Sequence, residues 1–156
     1  IQLDFPETKN LPAFDLFWYD GGMKPFIPEE LKEDKRDMPN EGMMFVGDKG
    51  KILASFHGRN PEIIPSRLMK AYQGEKELPE RERGPRSNTW AAAIRDNKES
   101  PGSFKYAGTV TEAINLAAVA LRAGKRVEYD SVNMKITNDD EANRYLTREY
   151  RKGWEL

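Results

Sequence analysis

Cysteine is absent from this 156-residue chain, and histidine occurs once, at His57. The first absence excludes disulfides, thiolate metal sites and cysteine nucleophiles. It does not fix the compartment. The second leaves no histidine cluster for a transition metal. An excess of one charge is missing too: 25 basic residues face 26 acidic ones, for a net charge of -1. Such a balance predicts no nucleic-acid partner, which a basic surplus would announce. The local runs Arg81 to Arg86 and Arg148 to Lys152 are interrupted by acids and read as solvated faces. No apolar run approaches the roughly 18 residues of a membrane span. No G-x-G-x-x-G turn and no Walker-type lysine loop occur, because Gly47 and Gly50 frame a hairpin rather than a strand-to-helix junction.

What is present is 38% hydrophobic and 33% charged residues, at a mean hydropathy of -0.80. The apolar residues cluster, which predicts one folded domain spanning 1–156 with polar loops. Ile1 to Phe5 alternates with period two, and Ala13 to Tyr19 follows as an aromatic-rich strand, so the two predict an antiparallel pair. A start inside a strand, without Met, predicts that the natural chain continues upstream of Ile1. Asp20-Gly21-Gly22 ends the second strand.

Residues 23–42 carry Pro25, Pro28 and Pro39, with Phe26, Ile27 and Leu31 as expected anchors. Met43 to Val46 and Lys51 to Phe56 predict a hairpin about Gly47-Asp48-Lys49-Gly50. Residues 58–87 read as irregular, pinned by Ile63, Ile64, Leu68 and Met69. Ser87 or Asn88 is expected to cap a short helix with Trp90 and Ile94 on one face, ended by Ser100-Pro101-Gly102. A longer helix is expected from Thr109 or Thr111 to Arg122, with Val110, Ile114, Ala117 and Leu121 as its buried stripe and Gly124 as its left-handed cap. Arg126 to Tyr129 reads as a last strand. Asn138 with Glu141 resembles a capping box for a helix carrying Ala142, Leu146 and Tyr150. Strands first and helices later predict an α+β fold, a mainly antiparallel sheet with helices packed on one face.

The candidate chemistry is sparse. His57, alone at a strand end, reads as a structural or surface residue before an acid–base catalyst. Asn138-Asp139-Asp140-Glu141 lacks the spacing of a calcium loop, and acids in a helix's first turn suit its dipole. Trp18-Tyr19-Asp20 has two readings. One places Trp18 in the core with Asp20 opening the turn, and the other offers aromatic faces and a carboxylate to a sugar. The ending Tyr150 to Leu156 likewise suits either local packing or docking on another domain.

Five strings in order carry a resemblance: Phe17-Trp18-Tyr19-Asp20-Gly21-Gly22; Phe45-Val46-Gly47-Asp48-Lys49-Gly50-Lys51; Tyr106-Ala107-Gly108 into Thr111-Glu112-Ala113; Val119 to Lys125; and Asn138-Asp139 to Trp154. Together they closely resemble the C-terminal domain of bacterial Gfo/Idh/MocA-family oxidoreductases, over nearly the whole chain. The resemblance implies an N-terminal Rossmann domain binding NAD or NADP, and a C-terminal α+β domain whose large sheet shapes a sugar-binding cleft and often forms a homo-oligomer interface. The family's Glu-Lys-Pro motif, with its catalytic lysine, has no match here. The histidine that many relatives carry just before the position of Trp90 has none either, since Arg86-Ser87-Asn88 stands there. No residue of this chain is therefore assigned a catalytic, cofactor-binding or metal role, and Trp18, Tyr19 and Asp20 are the candidate substrate-facing residues. The implied function is the C-terminal domain of an NAD(P)-dependent oxidoreductase acting on a sugar or cyclitol, inactive alone. The alternatives are an NAD-dependent glycosidase of the same superfamily and a non-enzymatic sugar-binding or scaffold domain. Relatives often bear export signals, so the resemblance also allows a periplasmic parent.

Overall fold

The computed structural model describes residues 1–75, 89–100 and 102–155. They form two compact units, Trp18–Gly84 and the pair of segments Ile1–Phe17 and Pro85–Leu156.

The unit that begins at Trp18 is built on a hairpin. Strands β3 (Met43–Gly47) and β4 (Gly50–Ala54) pair antiparallel, with Gly47 opposite Gly50 across a two-residue turn. (Strands β1 and β2 belong to the other unit and are Gln2–Phe5 and Phe14–Phe17.) The glycine-flanked turn thus acts as the sequence predicts. A third strand, β5 (Glu62–Ile64), adds antiparallel to β4. Helix α1 (Glu29–Glu33) supplies Leu31, which is fully buried against Leu53 and Ile64, with Met38 and Met44 around them. Of the expected anchors, Leu31 is the one that seals the core, while Phe26 is almost wholly exposed.

The stretch 58–75 is more regular than its Pro, Gly and charge content suggests. Beyond β5 it forms helix α2 (Ser66–Glu75). A three-residue strand is too short to show a period. The start of α2 is closed from a distance: the Ser66 N–H and Oγ–H both donate to Asp34 Oδ2, at 2.8 and 2.9 Å. A cap so remote in sequence leaves no local signature. Lys51 bonds both carboxylate oxygens of Glu30 at 2.6 Å, which ties α1 to β4.

In the other unit β1 and β2 pair antiparallel, and the rings of Phe5 and Phe14 stack at 4.7 Å. Helix α3 (Thr89–Arg95) precedes the long helix α4 (Phe104–Ala123). A short hairpin of β6 (Tyr129–Asp130) and β7 (Lys135–Ile136) and a 3-10 turn at Glu141–Tyr145 complete the unit. Ile136, Ala142 and Val119 form its buried centre, ringed by Leu116, Ala123, Val127, Tyr129, Tyr145 and Leu146.

Three expectations are corrected here. Helix α4 starts at Phe104 after an extended Ser103, a turn and more before Thr109. Its buried ridge is Leu116, Val119 and Ala123, whereas Val110, Ile114 and Leu121 are each at least 60% exposed. Both stripes obey the helical period, because α4 is rich in Ala, Val and Leu on every side. Periodicity alone selects no face; the hairpin and the 3-10 turn do. Gly124 does terminate α4 in the left-handed region, at φ 66°, with its N–H donating to Ala120 O at 2.9 Å.

The third correction concerns the predicted capping box. Asn138 caps no helix: its Oδ1 accepts the Glu128 N–H and its Nδ2 donates to Arg126 O. Asp139 Oδ1 instead accepts the Glu141 N–H at 3.1 Å. The turn that follows ends at Tyr145, so Tyr150 lies outside it. The Asn143 side-chain amide accepts the Ile136 N–H and donates to Ile136 O, which ties this turn to the end of β7.

Among the described residues every strand pair is antiparallel and helices accompany each unit, in keeping with an α+β fold. Among the described residues the strands fall into three separate ladders. The expected caps Ser87 and Asn88, the run Arg81 to Arg86, and Pro101 lie outside the described residues.

Candidate functional site

Strand β2 ends at Phe17, and the chain then turns at Asp20. The turn is built locally. Asp20 Oδ1 accepts the Gly21 N–H at 2.7 Å, and Asp20 O accepts the Met23 N–H at 3.2 Å. Gly21 and Gly22 follow at φ 63° and 85°, values a side chain would resist. Asp20 therefore opens the turn, in agreement with one of its two readings.

Trp18 departs from that reading. It is 52% exposed and Tyr19 is 46% exposed, so neither ring is core. Two half-open aromatic residues precede in the chain a carboxylate that spends one oxygen on the turn. Such a set can stack on the C–H face of a ring and accept hydrogen bonds from hydroxyls. Lys24, four residues beyond Asp20, is held by its own Nζ, which donates to Met38 O at 3.0 Å and Asn40 Oδ1 at 2.8 Å.

The other sequence candidates are placed apart from one another in chemistry. His57 lies exposed in the turn after β4, edge-on to Phe56 with ring centroids 5.0 Å apart. Among the described residues no carboxylate hydrogen-bonds its ring, so nothing orients it as a base. The acids at 139–141 have structural duties. Lys125 Nζ pairs with Asp139 at 2.8 Å, and this hydrogen bond holds the Asp139 carboxyl below its ordinary range. Lys135 approaches Asp140 at 3.7 Å. Among the described residues no three metal-ligating side chains come together. At the C-terminal end Arg151 lies over the exposed Trp154 ring at 5.2 Å. Arg86-Ser87-Asn88, the stretch where relatives carry a histidine, is outside the described residues.

Sequence reading missed an open pocket of about 490 Å³ where α3 gives way to α4, with Trp90 and Phe104 on its walls. Its parts are two aromatic and several polar residues with no motif spacing. Only the fold of the elbow gathers them.

The one glycine pair of suggestive spacing, Gly47 and Gly50, is spent on facing positions of the β3–β4 hairpin. Among the described residues no helix is long and apolar enough to cross a membrane.

In comparison with known protein families, residues 18–156 match the model described as "Oxidoreductase family, C-terminal alpha/beta domain" of the Gfo/Idh/MocA group. No curated protein and no solved structure matches the chain. The matched span contains both the Trp18 turn and the α4 helix with its hairpin, and the antiparallel α+β elements agree with that description. The chain therefore belongs to the Gfo/Idh/MocA oxidoreductase family, as its C-terminal α/β domain.

Proposed function

We propose that this domain forms the substrate side of an NAD(P)-dependent oxidoreductase acting on a sugar or cyclitol. Family membership as the C-terminal domain carries the reading. The cofactor, which supplies hydride chemistry, belongs on an N-terminal Rossmann domain of the same protein. No hydride step is assigned to a residue of this chain. Its own contribution is to bind and orient: Trp18 and Tyr19 present half-open rings, and Asp20 presents a carboxylate oxygen not used by the turn. A sugar ring stacked on these aromatic faces would have that face shielded from bulk water and its orientation fixed by the carboxylate.

The open face of the three-stranded sheet extends the proposal. Phe45 and Ile52 stand opposite each other in register on exposed positions, and Ile63 continues the row on β5. A row of apolar side chains on a sheet face is the kind of surface through which copies of a domain associate.

The decisive experiment is turnover by the full-length gene product. It should reduce NAD or NADP with at least one member of a panel of sugars and cyclitols. Trp18→Ala and Asp20→Asn should raise KM for that substrate while leaving cofactor affinity unchanged. No nicotinamide reduction with any panel member, or an upstream reading frame with no glycine-rich strand–helix turn and no Glu-Lys-Pro, would sink the proposal.

A further inference from the structure

Of all the Asp and Asn residues in the chain, Asp20 alone is followed by glycine. The carboxyl carbon of an aspartate and the amide nitrogen of the next residue are two atoms that can close a five-membered ring. A side chain on that next residue crowds the closure, and glycine has none. At Gly21 even an added Cβ would meet nothing within 4 Å, so no neighbouring group crowds it either.

The turn brings the two groups together. The Gly21 N–H donates to Asp20 Oδ1 at 2.7 Å, which keeps the nitrogen beside the carboxyl group. Other aspartates that close turns are engaged differently. Asp130 Oδ1 accepts the N–H groups of Val132 and Asn133, and Asp139 Oδ1 accepts that of Glu141, so each reaches past its own neighbour. Asp20, Gly21 and Gly22 are all exposed, so water reaches the turn. Holding two reacting groups in contact lowers the entropic part of the barrier to joining them.

We propose that Asp20–Gly21 is a site of spontaneous backbone rearrangement, from aspartate through a cyclic imide to isoaspartate. The Gly21 nitrogen bonds to Asp20 Cγ, and its proton and the carboxyl OH leave as one water. Water then returns to the imide. Opening the bond between nitrogen and Cγ restores aspartate, whereas opening the bond to the main-chain carbonyl carbon routes the chain through Cγ. No oxidant, reductant or enzyme takes part. The product backbone is longer by one CH2, and the oxygen that accepts the Met23 N–H becomes part of a free carboxylate.

The step needs no substrate, so it and the proposed function fail separately: peptide mass reads the one and KM the other. The test ages the full-length protein in mildly acidic buffer, with a synthetic peptide of residues 17–24 aged alongside, and maps peptide masses at intervals. The segment holding Asp20 should lose the mass of one water and then regain it as isoaspartate, which electron-transfer fragmentation distinguishes from aspartate. The folded protein should convert at least as fast as the free peptide. Asp20→Glu, whose ring would have six members, should show loss of the conversion, and a melting scan verifies that this variant stays folded. Asp130 and Asp139 of the unaltered protein should remain intact in the same digests. Three results overturn the inference: Asp20 unchanged while the peptide converts, conversion only once urea has unfolded the chain, or conversion at Asp130 and Asp139 as fast as at Asp20.

Discussion

Asp34 and Ser66, 32 residues apart, are joined by two hydrogen bonds to one carboxylate oxygen, so the end of α1 closes the start of α2. The hydrogen bonds from Ser66, helped by the charges of Arg36 and Lys70, hold the Asp34 carboxyl below its ordinary pKa. A depressed folded-state pKa stabilises the fold above the unfolded value of about 3.9 and ceases to do so as pH falls through the folded value. Asp34→Asn should therefore flatten the acid limb of stability below about pH 4 and lower the melting temperature at neutral pH. Melting curves across that range check it. An unchanged acid limb would show that the pair is not a cap.

Gly42 has φ 147°, and a Cβ placed there would stand 2.6 Å from Ala54 O. A backbone carbonyl in a paired strand has little room to yield. Gly42→Ala should cost roughly 1–3 kcal/mol, the scale of a strained backbone position. Urea unfolding measures the loss. Wild-type stability in this variant would contradict the close approach.

Ile136 is fully buried between Val119 and Ala142, and Leu31 is fully buried between Leu53 and Ile64. Truncating either to Ala should cost about 2–5 kcal/mol, because lost burial and an unfilled cavity add. The measurement is again the urea midpoint, with the slope monitored for departure from two-state behaviour. A cost below 1 kcal/mol at Ile136, on the scale of surface substitutions, would refute the hairpin as the floor of that core.

The Tyr129 hydroxyl donates to Glu112 Oε1 at 2.6 Å, and burial together with that carboxylate pushes its pKa up to about 12. A raised folded pKa means that stability from this group is intact below pH about 10 and is lost as pH climbs toward the folded value. Ultraviolet titration of the phenols should show one late-ionising tyrosine, absent in Tyr129→Phe. If all six tyrosines ionise together, the pair is not formed.

The exposed register pair Phe45 and Ile52 predicts self-association through the sheet face. Light scattering should find species larger than the monomer that Phe45→Lys dissociates. A wild-type protein that stays monomeric at high concentration removes the sheet face as an interface.

Much of this was legible in the chain itself. Period-two alternation located β1, aromatic content located β2, and Gly47-Asp48-Lys49-Gly50 located the β3–β4 hairpin, because side-chain alternation, strand propensity and glycine's freedom at positive φ act over a few neighbouring residues. Gly124 was readable as a helix terminator for the same reason. Five ordered strings marked the family, and the comparison over residues 18–156 agrees. Other features rest on partners distant in sequence. Helix α2 depends on Asp34; the buried face of α4 depends on Ile136, Ala142 and Tyr129; and the exposure of Trp18 depends on where β2 stops. Local propensity constrains φ and ψ at each residue, whereas burial is a property of what another segment brings up against it. Composition and spacing thus determined the class and the turns of this protein, and a resemblance carried by ordered strings pointed to its family. Only tertiary contact decided which of α4's two apolar stripes is core, and only the fold of the α3–α4 elbow gathered Trp90, Ser103 and Phe104 around one pocket.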